Sequence, residues 1–318
     1  MSLVAVRRGR PIWAPGAYNA LDDVYEVIET MKLALLAALT LPMLALAGCG
    51  VILGQERPAA AVNTVTYTPE GWPRALEADV YQPQGAGPFA GMLLAHGGGW
   101  ERRSRDDMSR LARYYVGRGY VVMNAGYRFA PEAVFPAQVH DLQQAMHWLH
   151  READRLNLDP GRIGAFGYSA GAHLVSLMAL AAGTGRDLDE PWGGIKTRPE
   201  VVVAGGSPMD LRKYKSGKLV PQFLGGSIKE IPETYARASP VTLVHAAAPP
   251  FFLFHGAWDQ LVDIDHAEEF KSALERQDVP VVLEILPARG HILTFLTVGS
   301  VLPAVERFLE PYLSPPQN

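Results

Sequence analysis

The chain has 318 residues, 48% of them hydrophobic and 19% charged, which is enough apolar material for one large globular domain with a substantial core. A formal net charge of −4, with no long run of Lys or Arg, excludes the electrostatic footprint of a nucleic-acid binder. The single cysteine, Cys49, excludes an intramolecular disulfide and a multi-cysteine metal site.

In chain order, residues 1–30 place Arg7, Arg8 and Arg10 ahead of Asp22, Asp23, Glu26 and Glu29 and show no targeting logic, so they read as an extension before a true start at Met31. Residues 31–48 run from Lys32 through an uncharged apolar stretch to Ala47-Gly48, the order of a signal peptide. Leu46-Ala47-Gly48-Cys49 resembles the bacterial lipobox. That resemblance implies diacylation of Cys49, a membrane contact through the lipid, and residence in the bacterial cell envelope, periplasmic or at the outer membrane. Residues 49–62 read as a tether, and 63–318 as the folded domain.

Residues 63–68 and 75–81 alternate apolar and polar side chains as antiparallel edge strands do, around a turn at Pro69-Glu70-Gly71-Trp72-Pro73. Residues 90–95 are apolar on both faces and suit a sheet interior. A helix is expected over 104–116, a strand over 120–125, and the longest amphipathic helix over 136–154, where Val139, Leu142, Met146 and Leu149 form one stripe. His140, His147 and His150 lie on that helix without the cysteines or carboxylates that would complete a zinc site, and read as a solvated flank.

Residues 163–166 read as a short buried strand and 170–182 as a helix, with strands again at 200–204, 250–254 and 281–286. Helices are expected over 264–277 and 297–313, and the irregular 207–248 segment as a cap over a pocket. Strands alternating with helices specify an α/β fold: a doubly wound, mostly parallel sheet with helices on both faces and antiparallel strands at its amino-terminal edge.

Gly167-Tyr168-Ser169-Ala170-Gly171 falls on the corner between the 163–166 strand and the following helix. Alone, a Gly-x-Ser-x-Gly pattern is weak, and its bland explanation is a helix N-cap after a tight turn. Here the strand ending at Ala95 runs into His96-Gly97-Gly98-Gly99, the loop that supplies oxyanion-binding N–H groups in lipases and esterases. A serine hydroxyl at neutral pH needs a base, and the base an acceptor that holds its tautomer. Of nine histidines, His291 alone follows the last strand on a Gly290 loop. Asp259, just past the end of a strand, is favoured as the acid over Asp263 and Asp265, which read as carboxylates at a helix start.

These landmarks, with Tyr127-Arg128-Phe129-Ala130-Pro131-Glu132 and His255-Gly256-x-x-Asp259, resemble those of α/β-hydrolase serine esterases. The likeness is to hormone-sensitive-lipase-like esterases and, because a large amino-terminal helical cap is missing, more to compact feruloyl and acetylxylan esterases. The resemblance implies a serine carboxylesterase with the triad Ser169, Asp259 and His291 and an oxyanion hole from the N–H groups of Gly98, Gly99 and Ala170. It implies short-chain or aromatic acyl esters of plant polysaccharide as substrates and calls for no metal or organic cofactor. Amide hydrolysis of the arylformamidase or peptidase kind uses the same triad and stays open.

Charged residues across 183–199 and 207–248, among them Asp189, Asp210, Arg212 and Lys213, suggest a polar mouth. Trp100 and Trp192 are expected to flank it as stacking faces.

Overall fold

The computed structural model describes residues 59–314. The expected extension, signal peptide and Cys49 lie outside the described residues, as does the tether up to residue 58. Among the described residues no helix is long and apolar enough to cross a membrane.

Eight strands form one sheet: β1 (Ala59–Thr66), β2 (Glu77–Pro83), β3 (Phe89–Ala95), β4 (Tyr120–Ala125), β5 (Leu158–Tyr168), β6 (Val202–Gly205), β7 (Phe251–Gly256) and β8 (Val281–Leu286). Their order is β1-β2-β4-β3-β5-β6-β7-β8. β1 and β2 pair antiparallel with each other, β2 pairs antiparallel with β4, and every other neighbour is parallel. β1 begins at Ala59, inside the stretch expected as the end of the tether, because residues 59–62 already pair with the end of β2.

Among the described residues, the α-helices of six residues or more are α1 (Ser109–Val116), α2 (Ala137–Arg151), α3 (Ala170–Ala181), α4 (Leu219–Leu224), α5 (Pro232–Arg237), α6 (Asp265–Glu275), α7 (His291–Leu296) and α8 (Leu302–Leu313). Successive strand residues face opposite sides of the sheet, so each face builds its own core. Leu93 and Ala95 join Val139 and Leu142 of α2, Leu174 of α3 and Phe270 of α6 on one face. Met92 and Leu94 join Leu111 and Tyr115 of α1 and Val305 and Leu309 of α8 on the other. α3 is buried along all twelve residues, mostly Ala, Leu, Val and Met, and its two polar side chains, His173 and Ser176, find backbone acceptors inside.

Two of the boundaries that differ from the sequence reading have a clear local cause. The expected helix over 297–313 begins only at Leu302, as α8, after a single 3-10 turn over Val298–Ser300, and His291–Leu296 ahead of it forms a helix of its own, α7; Pro303 sits in the first turn of α8, where its missing N–H costs nothing. β5 starts at Leu158, well before Ile163. Its polar first half is stabilised by Arg162, which donates to the carbonyls of Leu313 and Pro88 and pairs with Asp159.

The strand order reverses between β3 and β5, since the chain leaves β3 for β4 on one side and returns to β5 on the other. Ligands of open α/β sheets gather in the crevice outside such a switch point, at the carboxyl ends of the strands. Ala95 and Gly167 are register partners there, so the loop after β3 and the corner after β5 meet.

Candidate active site

Ser169 occupies that corner at φ 53° and ψ −121°, a left-handed region that L-residues avoid. The turn closes only because its flanks are glycine. A Cβ on Gly171 would lie 2.1 Å from the carbonyl oxygen of Ala95, and one on Gly167 2.5 Å from the amide of Ala172. The Ser169 hydroxyl makes no helix-capping bond, so the N-cap explanation of the motif does not describe it. Instead its Oγ lies 2.9 Å from Nε2 of His291.

His291 opens α7, and its Nδ1 is 2.7 Å from Oδ2 of Asp259. An ionised carboxylate only accepts, so Nδ1 carries the proton and Nε2 presents its lone pair to the serine. Asp259 follows β7 and is buried; its Oδ1 accepts from the amides of Leu261 at 3.0 Å and Val262 at 2.9 Å, which fixes its rotamer. Burial alone would raise its pKa. That is outweighed by hydrogen bonds from His255 and His291 and by the Val262 amide, which hold it well below the usual carboxylate range. The rival carboxylates stand elsewhere: Asp263 accepts from the amide of Asp265, and Asp265 pairs with Lys213 at 2.9 Å.

The loop after β3 lies directly against the serine, with a Cβ on Gly97 falling 3.2 Å from that of Ser169. Gly98 and Gly99 hold φ of 117° and 61°. Among the described residues their amides donate to no backbone carbonyl, and Ala170, the first residue of α3, has no intrahelical acceptor for its own. The Gly97–Gly99 loop and the first turn of α3 thus both border Ser169. His96 steadies the loop: its Nδ1 lies 2.6 Å from the Gly97 carbonyl, and its ring stacks on Tyr127, whose hydroxyl donates to the His96 carbonyl. Burial pushes the His96 pKa down to about 4.

Four contributors lay beyond the sequence reading. Tyr168 donates its hydroxyl to the His291 carbonyl at 2.5 Å. His255 Nε2 sits 3.4 Å from Oδ2 of Asp259 and 2.9 Å from the carbonyl of Val262. His173 and Leu219 meet the loop after β3, His173 accepting from the Trp100 indole and Leu219 standing 3.4 Å from where a Cβ of Gly99 would be. Of these, Tyr168 and His255 stand in motifs quoted from the sequence, where nothing told of their contacts, and Leu219 stands in none.

Four of the residues expected at a polar mouth, and the two tryptophans, are engaged with local partners. Asp189 turns inward and accepts from the amides of Gly183, Gly185 and Gly194. Asp210 pairs with Arg212, and Lys213 with Asp265 and Glu269. Trp100 is 4% exposed, stacked on Phe223, and Trp192 packs edge-on against Trp72, with its carbonyl 3.0 Å from His147 Nε2. Exposed beside Asp259 and His291 are Trp258, Leu261, Leu293 and Leu296. Among the described residues no group of three or more His, Cys, Asp or Glu is placed to hold a metal ion.

With this geometry in place, the chain can be set beside known proteins. It is 30% identical over 240 residues to esterase LipC of Mycobacterium tuberculosis, covering 70% of this chain and 58% of LipC. It spans about half the length of the mycobacterial esterases it matches. An esterase of Thermogutta terrifontis superposes with a TM-score of 0.68 at 23% identity, over 83% of this chain and 96% of that one. An acetyl ester-xyloside bifunctional hydrolase of Caldicellulosiruptor lactoaceticus does so at 0.66 and 24%, over 75% and 89%. Both show the α/β-hydrolase fold. The BD-FAE family profile matches residues 78–274, from within β2 to the end of α6, and the chain belongs to the BD-FAE family.

Proposed function

We propose that this protein is a serine carboxylesterase, and the observation that carries the proposal is the continuous Asp259–His291–Ser169 relay, 2.7 and 2.9 Å long, set against the Gly97–Gly99 loop. Ser169 Oγ attacks the ester carbonyl carbon as its proton passes to Nε2 of His291. The carbonyl oxygen becomes an oxyanion facing the N–H groups of Gly98, Gly99 and Ala170, each worth roughly 3 kcal/mol of barrier in comparable sites. Collapse breaks the bond to the alcohol, which leaves with the proton from Nε2. Water then attacks the acyl-serine, its proton going to His291, and releases the acid. Asp259, held ionised, keeps the imidazole in the tautomer both halves require.

Short-chain or aromatic acyl groups on a plant polysaccharide are the substrates we propose. Leu219 against Gly99 limits room beside the oxyanion site. The leaving alcohol must lie on the His291 side to take its proton, and Trp258, whose backbone amide donates to the Arg289 carbonyl just ahead of that residue, is 67% exposed and offers a ring face for a sugar. The Caldicellulosiruptor neighbour, an acetyl ester-xyloside hydrolase by name, is in keeping with that class. We also propose that Cys49 is lipidated and anchors the domain in the bacterial envelope; the Leu46–Cys49 pattern supports this.

The test is a series of p-nitrophenyl esters together with acetylated and feruloylated xylan. Acetyl or butyryl esters should turn over far faster than chains of about twelve carbons, with acetate or ferulate released from the polymer. Activity that climbs with chain length, or faster cleavage of formyl-kynurenine or aminoacyl anilides, overturns the assignment.

A further inference from the structure

His173 is fully buried one turn beyond Ser169 on α3, its amide donating to the Ser169 carbonyl at 3.0 Å. Its Nε2 lies 2.7 Å from the carbonyl of Ala238. A carbonyl only accepts, so Nε2 carries the proton and Nδ1 is left as an acceptor. Into that lone pair the Trp100 indole N–H donates, at 3.3 Å. Both ring nitrogens are therefore used, one toward the segment that follows α5 and one toward the loop after β3. Burial pushes the ring's pKa down to about 4, so Nδ1 keeps its lone pair near neutral pH.

Trp100 is the residue that needs holding. Gly98, Gly99 and Trp100 have φ of 117°, 61° and 62°, three successive residues in a region that no local preference stabilises for the tryptophan. Its indole is clamped between the Phe223 ring, stacked at 4.4 Å, and the His173 edge at 5.2 Å. Oxyanion donors act only within about 2.7–3.1 Å of the developing charge, so the loop must keep its place relative to Oγ. A tie from that loop to the helix bearing the nucleophile fixes this distance.

We propose that His173 is the positioning residue of the oxyanion loop: through the Trp100 indole it sets the Gly98 and Gly99 N–H groups relative to Ser169. The proposal rests on the serine-esterase reading. Because the oxyanion exists only in the transition state, loosening the tie lowers kcat and leaves KM nearly where it was.

Two amides separate the two bonds of the ring. His173→Asn puts a side-chain oxygen near the Nδ1 position and keeps an acceptor for Trp100, whereas His173→Gln puts its amide near Nε2 and keeps the Ala238 bond. Trp100→Phe keeps the stack on Phe223 and removes only the N–H. Active sites are first counted by labelling Ser169 with an acyl phosphonate, and butyryl ester kinetics are then expressed per labelled site. We expect His173→Gln and Trp100→Phe each to lower kcat about tenfold or more with KM within about twofold, His173→Asn to stay within about threefold of wild type, and the Gln/Phe double variant to be no worse than either single. Equal losses in the Asn and Gln variants, wild-type kcat in Trp100→Phe, or additive losses in the double variant overturn the positioning role. Wild-type protein that leaves Ser169 unlabelled overturns the esterase reading itself and the proposal with it.

Discussion

The hydroxyl of Tyr168 donates to the backbone carbonyl of His291 across 2.5 Å, so the residue just before Ser169 holds in place the residue whose imidazole faces it. Its ring also packs against Phe254 and Phe295, and a Cβ on Gly206 would touch both the Tyr168 hydroxyl and the His291 ring. Tyr168→Phe keeps that packing and frees the loop. We expect kcat to fall about three- to tenfold with a small change in KM, measured on a butyryl ester. An unaltered kcat would mean that Gly290 and α7 suffice to place the imidazole.

The two nearby carboxylates should separate cleanly. Asp259→Asn leaves an amide that can donate to Nδ1 and so favours the wrong tautomer; activity should drop by about 10³-fold or more. Asp263→Asn loses only an acceptor for the amide of Asp265 and should stay within about twofold of wild type. The reverse pattern would put the acid at Asp263.

Stability should depend on pH through buried imidazoles. Burial pushes the pKa of His96, His173 and His266 down to about 4 each, whereas an unfolded histidine titrates near 6.5. Between those values the unfolded chain binds more protons. The contribution is therefore complete above about pH 6.5 and is lost as pH falls toward 4, by up to about 1.4 kcal/mol per pH unit for each ring. Urea unfolding at pH 7.5 and 5.5 should show the fall, with a shallower slope in His173→Asn. Asp259, depressed instead from the carboxylate value, adds its own loss only at lower pH, below about 4.

Labelled fatty acid supplied to a bacterial host should enter the wild-type protein, and the protein should partition into membranes. Cys49→Ser should lose both properties. Wild-type protein that stays unlabelled and soluble rules out the anchor.

The sheet was legible because its strands are short apolar runs with no competing period: β4 and β8 fall on the residues read, and β3, β6 and β7 within two of them. The serine corner and the loop after β3 were legible because steric demand forces glycine where a Cβ would strike backbone. What escaped was set by distant partners. Nothing local tells that the Tyr168 hydroxyl meets a carbonyl 123 residues later, or that His173 reaches Ala238, 65 residues on. Charge counting could not tell which side chains engage local partners: Asp189 organises its own loop and Arg212 folds back on Asp210, while Trp258 and Leu293 stand exposed close in sequence to Asp259 and His291.

The left-handed backbone at Ser169 also bears on stability. A glycine there would relax a conformation that costs a side-chain-bearing residue about 1–3 kcal/mol, so the chain would gain stability by discarding its nucleophile. Ser169→Ala keeps the strain and Ser169→Gly removes it; only the glycine variant should melt above wild type. Folding alone thus disfavours a serine at this corner, and the difference in melting temperature between the glycine and alanine variants measures that cost.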